Sequence, residues 1–204
     1  KTSNYSPEQL DETKQALEQV VQRAKSHEQS LWIPPIATID RWWSKEKQIV
    51  LSRLRNALLH VPMGICRDLL HIAFSQKVIE WSNAAFNHQS MSYKTEASGV
   101  KPLWHSNDHL IDEYQDAALA ILENAKAKLS GTVNVYHVDS RRIPQVGDVC
   151  YDCVITSPPY PNRMSYIREL RPYMYWLGYL REAREAADLD WQAIGGTWGS
   201  ATSR

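Results

Sequence analysis

The sequence predicts an α/β fold in which a mostly helical region precedes a sheet. Apolar residues recur at helical spacing through the first part of the chain, to about Ser130. Two short runs of apolar and β-branched residues follow, Thr132–Val138 and Cys153–Thr156, and such runs are typical of buried parallel strands. We therefore expect a helical region over residues 1–130 and an α/β region over residues 131–204.

Helix signals divide the first region into four segments. Ser6-Pro7-Glu8-Gln9 has a capping serine, a proline at the first helical position and a glutamine that completes a capping box. Polar residues over 87–107 indicate a long loop. The predicted helices run from Ser6 to about Lys25, from Asp40 past Leu59, from about Ile65 to Ala85, and from about Asp108 to Leu129. A further helix is expected from Asn162 to about Ala187.

Composition bounds the class of protein. The 23 basic and 23 acidic residues cancel, so any contact with nucleic acid must come from local arginine clusters. Three cysteines, without disulfide-like spacing, suit a reducing cytoplasm. Neither a signal peptide nor a long apolar run is present, so no membrane partner is expected. The chain opens at Lys1 and closes at Arg204, and we expect it to be part of a longer polypeptide.

The segment Ser157-Pro158-Pro159-Tyr160 follows the second predicted strand directly. Neither proline can donate to a strand ladder, so the strand must end there. A polar side chain then lies at the carboxyl end of a strand, which is where open α/β sheets bind ligands. The alternative is a proline-stiffened turn in which Tyr160 is only a packing residue.

This segment resembles the catalytic tetrapeptide of the amino-methylating DNA methyltransferases, which modify the exocyclic amine of adenine or cytosine. Asp139-Ser140-Arg141 and Tyr151-Asp152 extend the resemblance. It implies a Rossmann-like class I methyltransferase sheet, S-adenosylmethionine as cofactor, and double-stranded DNA with a flipped base as substrate. It also assigns Asp139 and Ser140 to the cofactor site, with Asp139 near the adenine end, although an acid there equally suits a helix or turn cap.

The residue types fit that chemistry. An exocyclic amine is a poor nucleophile because its lone pair is delocalised into the ring. The Ser157 hydroxyl and the Pro158 carbonyl can accept its two N–H bonds and aim the lone pair, so that catalysis is largely positioning. Pro159 keeps the backbone rigid. Tyr160 offers a ring on which a flipped base can stack, at about 1–3 kcal/mol per base.

Arginines and aromatic residues follow the tetrapeptide. Arg163, Arg168 and Arg171 are expected to form the phosphate-facing edge of a groove. Aromatic rings beside arginines also suit flipped or single-stranded bases. Core packing is nevertheless the favoured interpretation for each of these rings: Tyr166, Tyr173, Tyr175, Trp176 and Tyr179.

Other motifs carry less weight. Cys150 and Cys153 have the spacing of half a zinc site, and His105 and His109 lie four apart, but neither pair has enough ligands, so no metal is expected. The family's glycine-rich cofactor turn has no match, because Gly195-Gly196-Thr197-Trp198-Gly199 follows no strand. We expect that turn to precede Lys1, with the remainder of the enzyme supplied in cis or in trans.

Two functions from different classes remain open. The first is direct transfer of a methyl group from S-adenosylmethionine to DNA, without a covalent enzyme intermediate, by a cytoplasmic enzyme. The second is a non-catalytic DNA-binding or assembly fragment of a methyltransferase or restriction-modification system. Methylation of protein glutamine is disfavoured, because the related motif has asparagine where Ser157 stands.

Overall fold

The computed structural model describes residues 4–26, 30–85, 92–93, 107–128, 130–131, 133–139, 142, 151–157 and 166–192. The regular elements in these ranges are α1 (Pro7–Lys25), α2 (Ile39–Trp42), α3 (Lys45–Leu59), α4 (Ile65–Glu80), β1 (Ala84–Ala85), β2 (Ser92–Tyr93), α5 (Asn107–Ala125), α6 (Tyr166–Trp176) and α7 (Ala183–Gln192). None of the helices in these ranges combines the length and the apolar character that a membrane span requires.

Helix α1 begins and ends where the sequence predicts. The backbone N–H of Gln9 donates to Ser6 Oγ at 3.2 Å, and the N–H of Ser6 donates to Gln9 Oε1 at 2.9 Å. This reciprocal pair satisfies donors that the first turn leaves without helical partners. The predicted capping box is therefore confirmed, and Pro7 occupies the first helical position.

Four helices form the body of the protein. α1 packs against α3, α4 and α5, and α4 packs against α3 and α5. Each helix contributes an apolar face, and the faces meet in one buried cluster that includes Leu17, Val50, Phe74 and Tyr114. Burial of these faces is what stabilises helices that propensity alone leaves marginal.

The carboxyl end of α4 is closed by side chains from the α2–α3 region. Ser82 would continue the helical ladder to Val78, but its N–H donates to Ile79 instead, at 3.1 Å. Trp43 Nε1 donates to the free Val78 carbonyl at 3.0 Å, and Lys47 Nζ donates to the Trp81 carbonyl at 3.0 Å. Terminal carbonyls that lack helical donors thus find partners inside the fold.

Helix α6 docks on this body through a group of rings that we call the aromatic cluster, and α6 packs against α4. Tyr173 of α6 meets Trp42 and Trp43 edge-on, with centroids 6.0 and 5.9 Å apart. Trp176 meets Trp43 and Trp32 in the same way, at 6.0 and 5.9 Å. Edge-to-face pairs at these distances are favourable. The aromatic cluster comprises Trp32, Trp42, Trp43, Tyr93, Tyr173 and Trp176.

The predicted α/β, Rossmann-like fold class is wrong. The strands that the described residues form are β1 and β2, a short antiparallel pair in which Ala84 faces Tyr93. Residues 133–139 and 153–157 have no regular secondary structure and are exposed. Apolar runs form parallel strands only where neighbours pair with them and both faces are covered. Within the described residues these runs have neither, and the fold is mostly α-helical.

Helix boundaries also differ from the prediction. The helix expected from Asp40 past Leu59 is divided into α2 and α3, and α4 ends at Glu80 rather than at Ala85. The long helix expected to reach Ala187 is two helices, because α6 ends in a Schellman motif. Gly178 lies in the left-handed region with φ +81°. Its N–H donates to the Tyr175 carbonyl at 3.1 Å, and the Tyr179 N–H donates to the Met174 carbonyl at 2.9 Å. The predicted division near residue 130 stays a prediction.

Candidate functional site

The segment that leads into the tetrapeptide is extended and faces solvent. Residues 151–157 are all exposed, and the side chain of Ile155 is 96% exposed. The expectation that Ser157 ends a buried strand is therefore wrong. Ser157 itself lies on the surface, whereas Pro158, Pro159 and Tyr160 lie outside the described residues, so their catalytic roles stay predictions.

The predicted cofactor residues are only partly described. Asp139 is exposed, and its backbone carbonyl accepts the N–H of Arg142 at 2.8 Å. The alternative interpretation, in which Asp139 caps a helix or turn, also stays a prediction. Ser140 lies outside the described residues. Assignment of Asp139 and Ser140 to a cofactor site stays a prediction.

The predicted arginine edge is placed in part. Positions 168 and 171 both lie in α6, and Arg171 is exposed, whereas Arg163 lies outside the described residues. Tyr173, Tyr175 and Trp176 of the same helix are buried. The core interpretation is therefore confirmed for these three rings. Tyr179, beyond the end of α6, is 72% exposed, so the core interpretation is wrong for this ring.

A cavity of about 550 Å³ opens between α3, α4 and the turn that joins α6 to α7. No sequence pattern predicts this cavity, because the residues that line it are far apart in the chain and none forms a local motif. Helix α3 supplies an arginine, α4 an arginine and a histidine, and the turn after α6 another arginine. The polar and aromatic side chains that line it are Trp32, Arg55, Arg67, His71, Trp176 and Arg181.

The cavity is electrostatically positive. Among the described residues that line it there is no Asp or Glu. The guanidinium of Arg55 lies over the ring of Trp32, 4.0 Å from its centroid. Burial, with a contribution from Arg67, lowers the pKa of Arg55 from its ordinary value. The positive charges of Arg55 and Arg67 are therefore close enough to interact.

Two buried nitrogens beside these arginines have no hydrogen-bond partner within the described part of the chain. They are His71 Nε2 and Trp176 Nε1, and Trp176 is fully buried. Burial, followed by the positive charge of Arg67, lowers the pKa of His71, although Asp68 opposes the shift. An indole N–H is only a donor, and buried polar groups normally find partners. An oxyanion would supply an acceptor for the indole N–H, and for His71 Nε2 in the tautomer in which that nitrogen carries the proton.

The described residues offer no metal centre. No group of three or more His, Cys, Asp or Glu side chains is placed to hold a metal ion there. Cys66 and Cys153 are free thiols, and His109 pairs with Glu113 at 3.2 Å. Cys150 and His105 lie outside the described residues.

No family model matches the chain, and comparison with curated proteins and with solved structures yields no significant match. The functional conclusions therefore depend on the chain's own residues.

Proposed function

We propose that the chain acts in S-adenosylmethionine-dependent methylation of the exocyclic amine of adenine or cytosine in DNA. The observation that supports this proposal is the tetrapeptide Ser157-Pro158-Pro159-Tyr160. The surface position of Ser157 is compatible with it, because a base that leaves the duplex needs an open approach.

In this proposal the chain holds the base and leaves the methyl donor to other residues. Ser157 Oγ and the Pro158 carbonyl accept the two N–H bonds of the amine and direct its lone pair toward the incoming methyl group. Pro159 restricts the backbone, and Tyr160 stacks on the base. In this proposal the rate advantage comes from orientation of the amine toward the methyl group, because the enzyme supplies no nucleophile.

S-adenosylmethionine carries its methyl group on a positively charged sulfonium, and the described residues do not fit it. Asp139 and the residues before Ser157 are exposed and enclose no cofactor. The cavity beside α4 is lined by arginines, which repel a sulfonium. We therefore propose that the cofactor is held by the remainder of the methyltransferase, in cis or in trans, in the cytoplasm.

The DNA in this proposal is double-stranded and presents one flipped base. Arg163, Arg168 and Arg171 follow the tetrapeptide closely in sequence, and Arg171 is exposed on α6. Contacts from these arginines to backbone phosphates would set the position of the duplex without reading its sequence. We expect loss of these arginines to lower the affinity for DNA and to reduce the dependence of that affinity on salt concentration.

Transfer of labelled methyl groups to duplex DNA tests the proposal. The assay uses this chain and, in parallel, the polypeptide encoded by its full open reading frame. We expect Ser157→Ala to slow transfer at least about tenfold, because one of the two amine acceptors is lost. Ser130→Ala makes the same change at another exposed serine and should leave the rate unaltered. Equal rates for wild type and Ser157→Ala would refute the role of the hydroxyl.

The second candidate is a non-catalytic DNA-binding or assembly fragment. Two observations favour it: the described helices form a continuous core of their own, and the described residues form no parallel sheet. DNA binding without methyl transfer by either polypeptide would support this candidate over the first.

A further inference from the structure

The cavity between α3, α4 and the α6–α7 turn has the composition of a ligand site. Its volume of about 550 Å³ lies within the range of about 300–1,000 Å³ that small-molecule sites occupy. Three arginines and a histidine reach it from three separate elements. Leu59, which is 50% exposed, and Leu177, which is half-buried, add an apolar wall.

The polar side of this cavity matches a phosphate. Arginine presents its donors as a planar fork that suits phosphate oxygens, and the guanidinium of Arg55 lies over the ring of Trp32 at the edge of the cavity. Within the described residues Arg67 donates to the thioether of Met63, at 3.0 Å, and a thioether is a weak acceptor. A stronger acceptor can therefore take that donor at little cost.

Two further nitrogens belong to side chains that line the cavity. Trp176 Nε1 and His71 Nε2 are buried without a partner among the described residues. A phosphate oxygen that accepts from the indole N–H, and from His71 in the tautomer that protonates Nε2, would remove the cost of leaving them unpaired. The apolar wall beside them then faces whatever the phosphate carries, and a flat aromatic base is the group that such a wall suits.

We propose that this cavity binds a nucleotide, with its phosphate held by Arg55, Arg67 and Arg181 and with His71 and Trp176 as further donors. The nucleotide is either a free mononucleotide or one unit of a DNA strand. The site does not depend on the proposed methylation, because Ser157 does not line it.

Calorimetric titration of the wild-type chain with dAMP, deoxyadenosine and inorganic phosphate tests the phosphate contact. We expect dAMP to bind at least about tenfold more tightly than deoxyadenosine, since the charge-assisted hydrogen bonds go to the phosphate. Inorganic phosphate should compete with dAMP. Equal binding of dAMP and deoxyadenosine, or no binding of dAMP and oligonucleotide, would overturn the proposal.

Substitution of an arginine inside the cavity and of another outside it tests whether dAMP binds there. Arg67→Gln should weaken dAMP binding at least about tenfold. Arg184→Gln removes the same charge at an exposed position of α7 outside the cavity lining and should change binding less than about twofold, because solvent screens it. A folded Arg67→Gln variant that binds like wild type would refute the assignment. If this variant does not fold, the indole Nε1 resonance of Trp176 in the wild type decides: it must shift when dAMP binds.

Competition between dAMP and DNA shows whether the bound nucleotide is a free mononucleotide or one unit of a DNA strand. A single-stranded oligonucleotide and its duplex are each titrated against bound dAMP. Displacement of dAMP from the wild type by the single strand or by the duplex identifies a DNA strand as the source, and direct binding of that DNA should weaken in Arg67→Gln. Binding of dAMP that neither DNA displaces identifies a free mononucleotide. Ser157→Ala should bind dAMP like wild type, so a failure of methylation and a failure of this site are distinguishable.

Discussion

Replacement of Trp43 by phenylalanine tests how α4 ends. Trp43 is fully buried and its indole N–H donates to the Val78 carbonyl at 3.0 Å. That carbonyl has no helical donor, because the Ser82 N–H bonds to Ile79. Phenylalanine keeps most of the packing and removes the donor, so the Val78 carbonyl stays buried and unsatisfied.

The expected loss of stability follows from that carbonyl. An acceptor left buried without a partner costs about 1–3 kcal/mol. For a chain of this size each kcal/mol lowers the melting temperature by about 2–4 °C, so Trp43→Phe should lower it by about 2–12 °C. Trp43→Ala also opens a cavity in the aromatic cluster and should cost at least about 3–5 kcal/mol.

Urea unfolding followed by circular dichroism measures the difference. Trp191→Phe is the matched control, because the same substitution is made at a side chain that is 70% exposed on α7. Its free energy of unfolding should stay within about 0.5 kcal/mol of wild type. If Trp43→Phe and Trp191→Phe unfold at the same urea concentration, the indole does not stabilise the end of α4.

Two further predictions concern the cavity and the turn beside it. Gly178→Ala forces a side chain into the left-handed region at φ +81°, and we expect a loss of about 1–2 kcal/mol, measured by urea unfolding; an unchanged midpoint would contradict the Schellman geometry. Burial and the charges of Arg67 and Arg55 lower the pKa of His71, against the opposing effect of Asp68. As the pH falls, His71 is therefore protonated at a higher pH in the unfolded chain than in the folded chain. The free energy of unfolding should decrease as the pH drops below about 6.5. His71→Leu should flatten that part of the pH profile, and an identical slope in the variant would contradict it.

The elements that the sequence predicted correctly are those that local interactions determine. The capping box at Ser6 and Gln9 is formed by neighbouring residues, so α1 was placed at the correct ends. The run Val154-Ile155 is an equally clear local signal for a strand, yet a parallel strand needs partners from distant segments. Those partners are not found within the described residues, and the side chain of Ile155 faces solvent.

The two candidate sites differ in the same way: one is a contiguous sequence motif, and the other forms only when distant residues pack together. The tetrapeptide at Ser157 is contiguous in sequence, so a local pattern is enough to predict a site there, and that site stays a prediction. Arg55, Arg67 and Arg181 come together only when α3, α4 and the α6–α7 turn pack. In the sequence each of them is an ordinary helix or turn arginine, and no spacing rule connects them.

Identification of the methylated base is the most direct test of the central claim, which is that Ser157 and its neighbours grip an exocyclic amine. Duplex DNA is treated with S-adenosylmethionine and either this chain or the product of its full open reading frame, then digested to nucleosides and analysed by mass spectrometry. We predict N6-methyladenine or N4-methylcytosine, lost in Ser157→Ala and retained in Ser130→Ala. A methyl group on a ring carbon, or no methylated base with either polypeptide, would contradict the account.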